Sequence, residues 1–299
     1  MKILITGASG FVGSFLATHF IQKHHQIVGV GRRPVHPLSQ TEGFEYISAD
    51  TTVPGPWQAH VPQMDAIVNL AGKNIFHYWT DSSKQKMVDS RIQTTRNLVQ
   101  AMESAPAPTL VSASAMGYYG DRGDAQLKED APAGSDFLAH LSVEWEQEAL
   151  EARPKGARVA LLRFSIVLGR SGGAFAKMLP AFRFFVGGPM GTGRQWLSWV
   201  HIQDLADAVE MILMDKNMNG PFNICAPHAV RNAQYAKALG SALGRPAFFR
   251  VPTVAVKTLM GELGGVMLAS QRCLPERLTQ FGFKFKYADI ESALAELVQ

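Results

Sequence analysis

The sequence predicts an α/β fold: a doubly wound parallel sheet covered by helices on both faces, joined to a smaller, mainly helical C-terminal lobe. Three observations carry this expectation. Short apolar runs alternate with helix-patterned stretches as far as about residue 170. The first run leads directly into a glycine-spaced turn and a helix. Beyond residue 170 the alternation gives way to a segment rich in Gly, Phe, Met and Arg, and then to helical patterns.

Lys2–Thr6 is a short apolar run ended by glycine, as expected of a strand buried on both faces. Phe11–Lys23 follows as a helix, with apolar side chains at Phe11, Phe15, Phe20 and Ile21. Strands are then expected at 26–30, at 44–47 (ending toward Asp50), at 66–70, at 109–112 and at 158–162. Long helices are expected at 81–103 and 135–152. Asp204–Met214 reads as a further helix and Gly220–Ile224 as a last strand, and helices are expected at 232–243, 254–263 and 290–298. This ordering assigns residues 1–170 to a nucleotide-binding domain to which 199–226 return. Residues 171–198 and 227–299 are left for the second lobe, where a substrate would lie.

Composition narrows the function. With 299 residues, 46% of them hydrophobic and 18% charged, the chain has the profile of an ordinary globular protein. A formal charge of +4 with no basic run gives no reason to expect nucleic acid. Two cysteines make no disulfide framework, and no His/Cys cluster has zinc spacing, so no metal is expected. Residues 3–17 are apolar enough to imitate a signal peptide, but glycines interrupt them and no A-x-A site follows. No stretch is long enough to span a bilayer. A cytoplasmic protein acting on a small molecule is expected, with no membrane partner.

The chemistry begins at Thr6-Gly7-Ala8-Ser9-Gly10-Phe11-Val12-Gly13. This glycine spacing lies between a strand and a helix, which is the context of the Rossmann dinucleotide fingerprint. Gly7 permits the tight turn, Gly10 allows backbone to approach a pyrophosphate, and Gly13 allows helix and sheet to pack closely. The helix N-terminus offers free N–H groups to phosphate. The second strand ends in Gly31-Arg32-Arg33, where NAD-binding chains usually carry a carboxylate for the ribose. Two guanidinium groups suit a 2′-phosphate, so NADP(H) is the expected cofactor; otherwise both arginines are solvated loop charges. Asp50 is placed to meet the adenine edge, and Leu70, Ala71 and Gly72 to pass close to the ribose. Arg91 stands either near the phosphates or as a solvated helix charge.

These residues resemble the extended short-chain dehydrogenase/reductase superfamily, in which T-G-x-x-G-x-x-G, N-L-A-G at 69–72 and W-V-H-I-Q-D at 199–204 recur in this order. Within it, S-A-M-G-Y-Y-G-D at 114–121, the Gly172–Pro180 and Gly187–Gln195 segments and the tail from Ser270 are similar to one subgroup. This is the NAD-dependent epimerase/dehydratase "epimerase family protein" group, with a C-terminal domain of unknown function. The resemblance implies a nicotinamide cofactor and a small substrate lobe. It also implies a homodimer packed through the helices at 81–103 and 135–152, neither of which shows an exposed apolar stripe.

The same resemblance exposes an atypical feature. Relatives use Ser/Thr with a Tyr-x-x-x-Lys pair on the helix after the fifth strand, the Lys lowering the Tyr pKa for proton transfer. Phe137 and Leu141 fall at those two places here, and neither holds a proton. Tyr119, Ser114 and Tyr118 near the fifth strand are the remaining catalytic candidates, with packing roles as the alternative. Lys177, Arg194 and His201 are candidates from the substrate side, His201 reading more simply as a brace between lobes. In related sugar-nucleotide epimerases an Arg four residues before the His binds a diphosphate, and Leu197 holds that place here. Two functions follow: an NADP(H)-dependent oxidoreductase or epimerase acting on a small carbonyl or hydroxyl compound, or a non-catalytic NADP(H)-sensing regulatory protein.

Overall fold

In the computed structural model, which describes residues 1–102 and 107–299, the apolar runs of the N-terminal half become a seven-stranded parallel sheet. Its strands are β1 (Lys2–Thr6), β2 (Gln26–Gly31), β3 (Phe44–Ser48), β4 (Ala66–Asn69), β5 (Thr109–Ala115), β6 (Val159–Phe164) and β7 (Gly220–Ile224). The spatial order is β3-β2-β1-β4-β5-β6-β7, so the winding reverses beside β1. That reversal leaves a crevice beyond the carboxyl ends of β1 and β4, where open α/β sheets bind ligands.

Helices α1 (Phe11–Gln22) and α5 (Ile202–Met214) cover one face, and α2 (Asp81–Ala101) and α3 (Phe137–Leu150) the other. The strands are buried on both sides, as their unbroken apolar runs require: Ile3, Leu4 and Ile5 are all solvent-free. α2 was expected to reach Glu103, which lies outside the described residues. It starts at a reciprocal cap in which Thr80 Oγ1 accepts from the Ser83 N–H and Ser83 Oγ from the Thr80 N–H.

The rest of the chain adds α4 (Gly173–Arg183), α6 (Asn232–Leu243), α7 (Thr253–Met260), α8 (Glu262–Leu268), α9 (Glu276–Gln280) and α10 (Ile290–Val298), of which α9 packs on β7 and joins the core of the sheet. Four of these differ from expectation. α4 lies inside the glycine-rich segment, and α9 is too short to show a period. The helix expected over 254–263 is two helices, because Gly261 takes a left-handed φ of 58° and turns the chain. Gly264 lets α8 close on α7, since a Cβ there would lie 2.6 Å from the Val256 carbonyl. No helix among the described residues is long and apolar enough to cross a membrane.

Candidate dinucleotide and substrate site

The glycine turn forms a tight cradle. Gly7 has φ 68°, and a Cβ on Gly13 would stand 2.3 Å from the Gly7 carbonyl oxygen, so only hydrogen fits. The backbone of Leu70 crosses beneath, 3.0 Å from where a Gly7 Cβ would be. Gly10 caps α1, and no side chain bonds to the free N–H groups of its first turn, where there is also no acidic residue. That terminus is complementary to an anion and fits the diphosphate of a dinucleotide.

Buried hydroxyls fix the floor. Thr6 Oγ1 donates to Asn69 Oδ1 at 2.7 Å and accepts from the N–H groups of Leu70 and Ala71. Asn69 Nδ2 donates to Thr95 Oγ1 and Ser112 Oγ. Four side chains from four elements thus hold the Leu70-Ala71 backbone under the glycine turn.

A cleft of about 460 Å³ opens there. Of the residues expected at the cofactor, Gly7, Gly10, Phe11, Val12, Gly13, Leu70, Gly72 and Arg91 line it. Ala71 lies in its floor backbone. Ser9, Arg32 and Arg33 sit apart at the end of β2, and Asp50 just beyond β3. A Cβ on Gly31 would meet Ser9 Oγ at 2.8 Å, so the glycine is what lets that hydroxyl reach the strand end. Arg32 and Arg33 are exposed. The positive charge of Arg32 acts on Asp50, whose carboxyl is held below its ordinary range mainly by hydrogen bonds from Thr52.

Arg91 is not a solvated helix charge. Its guanidinium donates to the carbonyls of Lys73 and Met87 and lies 5.1 Å over the Trp145 ring. Burial brings its pKa down to about 10, and no carboxylate among the described residues pairs with it. A half-buried cation lacking a counter-charge at the cleft wall is complementary to an anion in the cleft.

The catalytic candidates stand elsewhere. Tyr119 is fully buried and Ser114 is 2% exposed, and neither lines the cleft. Ser114 Oγ donates to Glu146 Oε1 at 2.7 Å. Arg163 grips both oxygens of Glu146, at 2.8 and 2.9 Å, and donates to the Tyr119 hydroxyl, which itself donates to Asn223 Oδ1. The Arg163 guanidinium also lies 3.5 Å over the Tyr118 ring. Burial raises the Tyr119 pKa despite Arg163, so its phenol stays protonated. Tyr119 and Ser114 thus sit in a buried ion-pair network that joins α3, β5, β6 and β7, with their hydroxyls bonded inside it and away from the cleft. Tyr118 meets the network through its ring and does not line the cleft.

Arg194 is also remote. It is exposed, and its carbonyl accepts from Arg231. His201 Nδ1 accepts from the Gln203 N–H at the start of α5, Nε2 meets Glu296 at 3.1 Å, and the ring packs 3.9 Å from Tyr287. It braces the sheet domain against the C-terminal helices. The aromatic residues of the second lobe do not make a ring-binding pocket: Phe182 and Trp199 are core, while Phe184 and Phe185 face solvent.

Lys177 alone of the substrate-side candidates lines the cleft. The Gly172-Gly173 turn explains how. Cβ atoms at Gly172 and Gly173 would strike Phe11 at 2.6 and 2.9 Å, so α4 begins pressed against that ring. Gly173 and Lys177, four residues apart, then share one helix face toward the cleft, while Ala174 and Met178 share the next. Sequence reading missed Ser142 and Trp145 on α3 and the strap Lys73-Asn74-Ile75-Phe76. Leu138 and Leu141 of α3 also line the cleft, whereas Phe137 does not. The signal for Ser142 was available in the sequence, one residue beyond Leu141.

A parallel sheet wound in this order, a glycine cradle at the first turn and a helical lobe over the crevice define an extended short-chain dehydrogenase/reductase fold that binds a nicotinamide dinucleotide. Residues 3–225 match the NAD dependent epimerase/dehydratase family, and residues 251–297 match a domain of unknown function (DUF1731). The chain belongs to the NAD dependent epimerase/dehydratase family. It is 38% identical over 303 residues to the chloroplastic SDR39U1 homolog of Arabidopsis thaliana, an epimerase family protein, covering 100% of this chain and 87% of that one. It is 34% identical over 302 residues to the epimerase family protein YfhF of Bacillus subtilis, covering 100% and 98%. The crystal structure of human SDR39U1 with NADPH superposes with a TM-score of 0.87 at 32% identity over 99% of both chains. UDP-glucuronic acid 4-epimerase from Bacillus cereus, in complex with NAD, shares the fold at a TM-score of 0.79 and 18% identity, covering 99% of this chain and 96% of that one.

Proposed function

We propose that this protein is an NADP(H)-dependent oxidoreductase acting on a small carbonyl or hydroxyl compound. The observation that carries the reading is the cleft itself: a phosphate cradle at one end and, at the other, Phe76 and Lys177, which also line a second cavity of about 400 Å³ beneath the C-terminal lobe. A protein that only held a dinucleotide has no need of a second, adjoining cavity.

The preference for the phosphorylated cofactor rests on Ser9, Arg32 and Arg33 around the end of β2, and on NADPH in the human relative. Gly7, Gly10 and Gly13 would receive the diphosphate, and Arg91 offers a fixed cation in the same cleft. When bound, the nicotinamide supplies or accepts hydride at its C4 position. The chain's part is positional. Ser142 provides a hydroxyl that can hydrogen-bond a substrate oxygen, Arg91 and Lys177 favour negative charge developing there, and Leu138, Leu141, Trp145 and Phe164 keep the walls apolar. With no tyrosine on this face, the proton comes from water or from Lys177.

A regulatory NADP(H) sensor is the second reading, favoured by the apolar Leu138 and Leu141 that α3 presents to the cleft. Fluorescence titration with NADPH, followed by turnover assays across a panel of aldehydes, ketones and oxo-acids, separates the two. An enzyme oxidises NADPH on at least one compound and loses most of that rate in Lys177→Met or Ser142→Ala. Tight NADPH binding with no oxidation on any of them is the outcome that makes the protein a sensor.

A further inference from the structure

We infer that the cavity under the C-terminal lobe is built for an apolar carboxylic acid, its tail among methionines and its carboxylate at Lys177. The inference rests on the oxidoreductase reading above and assigns that site its substrate class.

The walls set the tail. Four methionines, Met178, Met190, Met260 and Met267, line the cavity together with Leu259 and Leu263. Unbranched, polarizable side chains of this kind adapt to flexible apolar ligands better than they select a rigid polar ring. At about 400 Å³ the space lies toward the lower end of the usual ligand range of roughly 300–1,000 Å³. A nucleoside diphosphate would meet no complementary charge in this wall beyond one lysine.

Lys177 sets the head. It is exposed at the border with the cofactor cleft, and no carboxylate among the described residues pairs with it. An ammonium donates a charge-assisted hydrogen bond to a carboxylate, stronger than the one it gives an alcohol. His77 lines the same cavity, but its Nε2 has no accessible surface and offers a ligand nothing. Because Lys177 also lines the cofactor cleft, the carboxylate is held at the border, and the reacting carbon must lie within a few bonds of it. The class is thus an apolar oxo- or hydroxy-acid.

The same geometry gives the domain of unknown function a task. Leu259, Met260, Leu263 and Met267 all come from α7 and α8, within the 251–297 segment matched by that family model. These helices close over the strap at 75–79: Leu263 packs with Trp79 and Leu141, and Tyr78 lies against the Gly261 turn. Lys84 of α2 donates to Glu262 at 2.7 Å and anchors α8. The C-terminal domain supplies one apolar wall of the tail site, and Met178 and Met190 come from outside it.

Calorimetric titration of the full chain with octanoate, octan-1-ol and acetate, with and without saturating NADPH, tests this. Octanoate should bind one to one, about three- to tenfold more tightly than octan-1-ol, as one charge-assisted contact at a partly exposed lysine allows, and acetate should not bind measurably. Lys177→Met should reduce octanoate to the level of octan-1-ol and leave octan-1-ol unchanged. Met267→Glu should abolish octanoate binding, and far-UV circular dichroism with thermal melting shows that this variant is folded. Should Met267→Glu fail to fold, Met178→Glu serves in its place. Octanoate binding no tighter than acetate overturns the proposal, and equal octanoate affinity in Lys177→Met overturns the head-group assignment. NADPH fluorescence on the same samples reports the cofactor reading separately, so a protein that binds NADPH but not octanoate has failed only the substrate class.

Discussion

At the residue scale, side chains of the same type divide between two jobs according to whether their polar atoms are already claimed. Ser9, Arg32 and Arg33 gather at the end of β2 with no carboxylate of that strand to oppose a phosphate. Replacing Arg32 and Arg33 together by Ala should therefore weaken NADPH binding by about tenfold or more, the loss of one or two charge-assisted contacts, while NADH binding changes little. Parallel fluorescence titrations with the two cofactors check this, and equal losses would refute the 2′-phosphate assignment. Tyr119 and Ser114 are of the opposite kind, because every polar atom they own is spent inside the Arg163–Glu146 network. Glu146→Gln strands a guanidinium that is 3% exposed and should cost about 3–5 kcal/mol in urea unfolding. Tyr119→Phe removes a hydroxyl that bonds two partners and should cost about 1–3 kcal/mol, with NADPH affinity unchanged. A Tyr119→Phe variant that kept full stability but lost NADPH oxidation would reverse this assignment.

At the element scale, the sequence was most legible where one period dominates. The seven sheet strands are apolar runs because both faces are covered, and the glycine spacing after β1 predicts the tight turn that the structure forms there. The strap at 73–79 and the division of α7 from α8 were not legible. Neither has a period: the strap is held by side-chain to backbone bonds such as Trp79 Nε1 to the Ile75 carbonyl, and the break depends on a single glycine. Tyr119 shows the other failure. Its place near the end of β5 was read correctly, but the direction of its side chain is decided by Arg163 and Asn223, residues 44 and 104 positions away. α3 illustrates how packing fills a helix face. Leu141 is 5% exposed and packs with Trp79, Met87 and Leu263. Leu141→Lys should therefore destabilise the protein by at least about 2 kcal/mol in urea unfolding, since the ammonium would enter an apolar cluster with no partner. Wild-type stability in that variant would show that this face can hold a lysine.

At the scale of the whole molecule, the two lobes are clasped by His201. Its ring sits 4% exposed between the sheet domain and α10, touching Glu296 and Tyr287. Burial lowers its pKa from 6.5, and the Glu296 carboxylate, which favours the charged ring, does not offset this. The fold therefore prefers the neutral imidazole. Above pH 6.5 both folded and unfolded chains carry it neutral, and its full contribution to stability is present. As the pH falls from 6.5 toward the lowered folded value, the unfolded chain takes up a proton that the folded chain refuses, so stability declines through that window. Below it, no further loss comes from this group. Urea midpoints measured between pH 7.5 and 5 should fall with acid in the wild type and fall less steeply in His201→Gln, which keeps a polar group beside Glu296 but cannot titrate. Because the clasp holds the C-terminal helices that wall the methionine cavity, octanoate affinity should decline over the same pH interval in the wild type and hold steadier in His201→Gln. Identical pH profiles for the two proteins would mean that the lobes are held together by apolar packing alone.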